Sequence, residues 1–302
     1  MSVLTFSRAS ALVIAISLLT PLAGATAATA SQPKLSVVAG ESQYANVAAQ
    51  IGGSFVHVTA ILTNPNVDPH TFEASSQVAQ EISNANVLVE NGLGYDTFVN
   101  NIAQASSKSS RSVINVSTLV RLKDESSNPH IWYSPVTMPA FALALAQKLS
   151  KLLPSEKAYF NGNVKKFDTS LAPWTSEIAL SVKEQSRKSV AVTEPVADYL
   201  LEAMGLKIAT PQIFQSDVMN GVDPSPQGIA LEQELLSNHT VGALIYNEQV
   251  VTSLTGSLRA LARSHSVAVV GVFEIMPTRA QSYQDWMLSE TSQILKAVNS
   301  AK

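Results

Sequence analysis

The 302-residue sequence contains no cysteine. Disulfides, thiolate metal sites and cysteine nucleophiles are therefore excluded, and so is lipid attachment at a cysteine behind a leader. Positive charge is also short: 20 Lys and Arg against 23 Asp and Glu leave a formal net charge of −3. That balance offers no basic surface for nucleic acid and no polybasic footprint for a membrane. Past the leader, no run approaches the roughly 20 apolar residues that a spanning helix needs. The HExxH spacing of zinc proteases is missing as well. Charged residues are only 14% and hydrophobic ones 46%, the balance of a compact chain and not of a disordered one.

What is present begins with MSVLTFSRASALVIAISLLTPLAGATA over residues 1–27. One Arg8, an apolar stretch over 11–22 and the small residues Ala25, Thr26 and Ala27 make the layout of a cleavable secretory signal. Its apolar part is too short to span a bilayer. Cleavage before Ala28 would take the formal charge from −3 to −4. An exported chain without lipid is expected in a periplasm. The remaining 275 or so residues suffice for two α/β lobes.

Short β-branched runs alternate with helix-length segments. LSVVA (35–39), VHVTAIL (56–62), NVLVEN (86–91) and SVINV (112–116) come first, then SVAVT (189–193), KIAT (207–210), VGALIY (241–246) and SVAVVGV (266–272). Runs apolar on both faces read as parallel strands buried between helices. The expected fold is α/β, with two lobes, each a parallel four-stranded sheet flanked by helices. The N-terminal lobe is placed at 28–153 and the C-terminal lobe at 189–302. Between them, over 154–188, Phe160, Val164, Phe167, Leu171, Trp174, Ile178 and Val182 recur at steps of three or four. That is the apolar stripe of one long linking helix, which Pro173 should kink or restart. A helical link is stiffer than extended hinge strands, so limited lobe motion is expected.

Two loops end in the same proline-histidine step, NPNVDPHTFE at His70 and SSNPHIWYSP at His130. Proline fixes its own φ, so the imidazole that follows is aimed with little entropy left to lose. Two later strand ends carry carboxylates, Glu194 in SVAVTEP and Glu274 in VAVVGVFEIMP. Ligands of open parallel sheets bind beyond the carboxyl ends of the strands, where all four residues fall, two per lobe. Two imidazoles and two carboxylates suit one divalent cation. Singly, each has a plainer reading as a solvated loop residue, and Glu194 could be a helix-start neighbour with Pro195 at the first helical position. His57 sits inside a strand and reads as a core or supporting group. His239 and His265 end helical segments, where histidine can bond the last carbonyls. Asn64, Asp68, Trp132 and Glu248 lie near the candidate ligands or a strand end and could orient the imidazoles.

With these residues assembled, the chain resembles the zinc- and manganese-binding solute-binding proteins of ABC importers, the TroA-like family. The likeness runs through NPNVDPHTFEASSQVAQEISNANVLVENGLGYD, NPHIWYSPVTMPAFALALAQKLSKLLP, TEPVADYLLEAMGL and FEIMPTRAQSYQDWM. The resemblance implies two α/β lobes joined by one long helix, metal ligands His70, His130, Glu194 and Glu274, and Mn2+ or Zn2+ as cargo for an inner-membrane permease. It implies no catalytic residue and no resident cofactor; a monomer is expected. Zinc importers of this family often carry a third histidine where this chain has Glu194, and a histidine-rich loop before the second ligand. Both absences lean toward manganese, although affinity at a nitrogen and oxygen site rises from manganese to zinc. Neutral imidazoles are needed for binding, so affinity should fall below about pH 6.5. The rival readings are a zinc-dependent hydrolase, which would keep an open coordination position and a general base, and an adhesin or metal-chelate binder, which would need a wide cleft.

Overall fold

The computed structural model describes residues 1–4, 34–66, 69–106, 108, 110–124, 127–185, 188–277 and 282–300, and leaves out the side chains of His70 and Gln185. The expected signal segment thus lies almost wholly outside the described residues. Contacts divide the chain into Met1–Gln32 and Pro33–Lys302, and both sheets belong to the second unit. No described helix is long and apolar enough to cross a membrane.

The first half runs β1 (Leu35–Glu41), α1 (Ser42–Gly52), β2 (Val56–Leu62), α2 (Ser76–Asn84), β3 (Val87–Glu90), α3 (Thr97–Ala105), β4 (Ser112–Asn115), α4 (Val116–Leu119) and α5 (Thr137–Leu152). Helices α6 (Lys157–Ser170) and α7 (Ala172–Gln185) follow. The second half runs β5 (Ser189–Val192), α8 (Asp198–Ala203), β6 (Lys207–Ile208), α9 (Gln212–Met219), α10 (Pro226–Ser237), β7 (Ala243–Asn247), α11 (Ser253–Ser264), β8 (Ala268–Val272) and α12 (Tyr283–Ser300). The strand orders are β2-β1-β3-β4 and β6-β5-β7-β8, all parallel, with Val37 opposite Val87 and Leu244 opposite Val269. All eight strands lie within two residues of the apolar runs that announced them. Val37, Val38 and Ala39 are fully buried on successive faces, as a sheet covered by helices on both sides requires. Chain order reverses between β1 and β3 and again between β5 and β7, and such switch points open a crevice at the strand ends.

The link between the sheets is two helices, not one. Helix α6 stops at Ser170 and α7 restarts at Ala172, because Pro173 has no N–H to give and is tolerated only in a first turn. The stripe from Phe160 to Ile178 is buried as expected, but Val182 at its end is 45% exposed. Helix α12 makes a second tie. It returns to the first half, where the Tyr283 backbone N–H donates to Asn46 Oδ1 at 3.1 Å and Gln284 Nε2 to Gln50 Oε1 at 2.8 Å. The Trp174 indole on α7 donates to Thr291 Oγ1 of α12 at 2.9 Å.

Candidate metal centre

His130 follows Pro129 and opens the 3-10 turn Ile131–Tyr133. It is fully buried, its ring edge-on to Tyr95 at 5.8 Å and to Trp132 at 5.3 Å between centroids. Asn128 sets the ring. Its Oδ1 accepts from the His130 backbone N–H at 2.9 Å and lies 2.8 Å from Nδ1, while its Nδ2 donates to the Pro195 carbonyl at 2.6 Å. That last bond fixes which end of the carboxamide faces the histidine. Nδ1 therefore carries the proton, and Nε2 is turned toward Glu274 Oε2, 3.1 Å away.

Glu274 is fully buried beyond β8 and held from several sides. Tyr95 donates its hydroxyl to Oε2 at 2.8 Å, and Asn247 Nδ2 donates to Oε1 at 2.6 Å. Its backbone N–H gives to Gln249 Oε1 at 2.6 Å, and its carbonyl accepts from Gln43 Nε2 at 3.1 Å. Glu194, beyond β5, is buried too, and its Oε2 accepts from the same Asn247 Nδ2 at 3.0 Å. Asn247 is aimed in turn by the Gln249 backbone N–H, which donates to its Oδ1 at 2.9 Å. One amide thus joins the carboxylates of the second half, and one of these touches the histidine of the first.

Three of the four residues singled out in the sequence are thereby brought into one network. The backbone of His70 lies in the turn Pro69–Thr71; its side chain is outside the described residues. Among the described residues no group of three His, Cys, Asp or Glu side chains is arranged to hold an ion. Asn247 Nδ2 bonds both carboxylates.

The supporting residues differ from expectation. Trp132 does pack on His130, but Glu248 is directed at Gly271, where an added Cβ would meet its carboxylate, and acts electrostatically on Tyr246. Glu248 lies just past the end of β7, where its backbone N–H donates to the Val272 carbonyl at 2.9 Å. Asn64 accepts from the Asn66 backbone N–H at 3.0 Å in its own turn, and Asp68 lies outside the described residues. His57 is exposed, not core or supporting. His265 caps α11 through its backbone N–H, and its ring lies 6.2 Å from that of His239.

Beneath Tyr95 lies a second pair of acids that sequence reasoning did not single out. Asp96 accepts from the backbone N–H groups of Asn91 at 2.7 Å and Gly92 at 3.0 Å, yet burial pushes its carboxyl up to about 6. Fully buried Glu41, at the end of β1, is raised well above the carboxylate range by burial and then by the charge of Asp96. Tyr95 is likewise raised by burial and by Glu274 and Glu41.

Two parallel four-stranded sheets, with buried polar side chains meeting near their strand ends, define a paired-sheet α/β protein. The chain belongs to the family described as zinc-uptake complex component A, periplasmic, which matches residues 37–297. Relatives include the manganese-binding lipoprotein MntA of Bacillus subtilis, 24% identical over 260 residues and covering 82% of each chain. The zinc-binding protein TroA of Treponema pallidum is 26% identical over 280 residues, 87% of this chain and 88% of that one. In structure the fold matches periplasmic zinc-binding TroA with a TM-score of 0.71 at 18% identity, over 89% of this chain and 99% of that one. It matches the Mn-bound periplasmic metal-binding protein of Candidatus Liberibacter asiaticus with a TM-score of 0.71 at 18% identity, over 88% of this chain and all of the other. The family is one of uptake components, not of enzymes.

Proposed function

We propose that the protein captures a single Mn2+ or Zn2+ ion between its two lobes and passes it to an ABC permease in the inner membrane. The ligands in this reading are His70, His130, Glu194 and Glu274. The protein works as a periplasmic, unlipidated monomer, its two lobes spanning 28–153 and 189–302 about the 154–188 link. The observation that carries the reading is the contact of His130 Nε2 with Glu274 Oε2, and the bridging of Glu274 to Glu194 through Asn247. An imidazole nitrogen and a carboxylate oxygen 3.1 Å apart are spaced to bind the same divalent cation. Two carboxylates also neutralise a divalent charge that a buried site could not otherwise hold. Family membership, and relatives named for manganese and for zinc, support the same cargo.

The test is metal content and affinity of the purified chain. One ion per chain is expected, with His130→Ala and Glu274→Gln each weakening binding by about 100-fold or more if both supply direct bonds. Undiminished affinity in both variants would overturn the ligand set.

A further inference from the structure

How many bonds a captured ion can form depends on how the two carboxylates are held, and one residue holds both. Asn247 closes β7 and is buried. Its backbone N–H donates to Thr193 Oγ1 at 3.3 Å, and its Oδ1 accepts from the Gln249 backbone N–H at 2.9 Å. With the oxygen so engaged, Nδ2 is the end that faces the acids, giving to Glu274 Oε1 at 2.6 Å and to Glu194 Oε2 at 3.0 Å. Gln249 fixes the far side: its Oε1 accepts from the backbone N–H groups of Glu274 and Ile275 at 2.6 and 2.9 Å. Glu274 thus meets the amide with Oε1, while Oε2, which accepts from Tyr95, is the oxygen 3.1 Å from His130 Nε2.

We infer that Asn247 determines specificity as a positioning residue: it restricts Glu194 and Glu274 to one bond each with the ion, which makes the site four-coordinate and favours Zn2+ over Mn2+. Two imidazoles and two carboxylates supply four bonds when each carboxylate gives one oxygen, and six when both chelate. Four is the tetrahedral number that zinc takes, whereas manganese takes an octahedron of oxygen-rich ligands. For either acid to chelate, the oxygen bonded to Nδ2 must bond the ion as well, which sets a divalent charge beside the positive end of the N–H. Giving up the amide bond instead would strand a buried donor. Held in this way, Glu194 fills a single coordination position, as a third histidine would. The site therefore runs against the lean toward manganese that the missing histidines give in the sequence.

This role rests on the capture reading, and the measurements separate the two. The parent chain and Asn247→Ala are each loaded with ZnCl2 or MnCl2, and affinities are read by competition with a chelator. X-ray absorption at the zinc edge should show four nitrogen or oxygen neighbours in the parent; five or six would overturn the inference without recourse to any variant. In Asn247→Ala the ratio of Zn2+ to Mn2+ affinity should fall by about tenfold, the lower end of what residues that orient ligands contribute. A merely structural asparagine would weaken both ions alike, so an unchanged ratio also overturns it. A parent that takes up neither ion would sink the capture reading itself, whereas uptake of one ion with an unchanged ratio sinks only the role of Asn247.

Discussion

Asn128 sets the ring of His130. It accepts from both nitrogens of His130 that face it and donates across to Pro195. Residues that orient a ligating imidazole typically change metal affinity 10- to 100-fold when removed. Asn128→Ala is therefore expected to weaken Zn2+ binding by about that factor while leaving the thermal transition of the unliganded chain within a few degrees. Competition against a fluorescent chelator reads the first quantity and circular dichroism the second. Affinity equal to the parent would mean that the ring is aimed by Trp132 and Tyr95 alone. His130, Glu194 and Glu274, which one hydrogen-bonded network joins, could be singled out because a proline-histidine step and strand-end acids stand out along the chain. Asn247, Gln249 and Tyr95 were not, because their importance lies in what they touch across 27, 25 and 179 residues of sequence.

Single elements carry their own consequences. Gly40, in β1, lies against Asp96, so that an added Cβ would come 2.7 Å from Oδ2. The carboxylate cannot retreat without leaving the Asn91 and Gly92 N–H groups that hold it. Gly40→Ala should thus lower stability by about 1–3 kcal/mol in chemical denaturation; a neutral result would show that the 91–96 loop yields freely. On α10, fully buried Glu232 is pushed by burial from 4.5 up to about 7. A carboxyl raised in the folded state favours its protonated form, so its stabilisation is whole below about pH 4.5 and is lost as pH rises through about 7. Asp96 and Asp198 act in the same direction. The melting temperature should accordingly fall between pH 5 and pH 8, and Glu232→Gln should flatten that fall by the equivalent of up to about 3 kcal/mol. A variant with the parent's pH profile would locate the titration elsewhere. The strands were legible as apolar runs, whereas the break at Leu171 depended on where Pro173 would be tolerated, which periodicity alone does not say.

At the scale of the whole molecule, the two sheets are tied twice, by α6 and α7 in sequence and by α12 in return. The sequence suggested the first tie and gave no sign of the second, since nothing in the pattern of α12 says which half it will cover. With both in place, hinge closure of the kind seen in binding proteins joined by flexible strands is opposed by packed helices. One equivalent of Zn2+ is expected to leave the small-angle X-ray radius of gyration unchanged within error. A contraction of several per cent would show that the ties slide.

The returning helix also bears on how the polypeptide is made. Tyr283 donates to the carbonyl of Trp132, and Glu290 accepts from both Tyr133 and Trp286, so the turn carrying His130 is braced by residues synthesised about 150 positions later. A nascent chain emerging from the ribosome has no such brace. The turn carrying His130 lacks these two hydrogen bonds until α12 is translated.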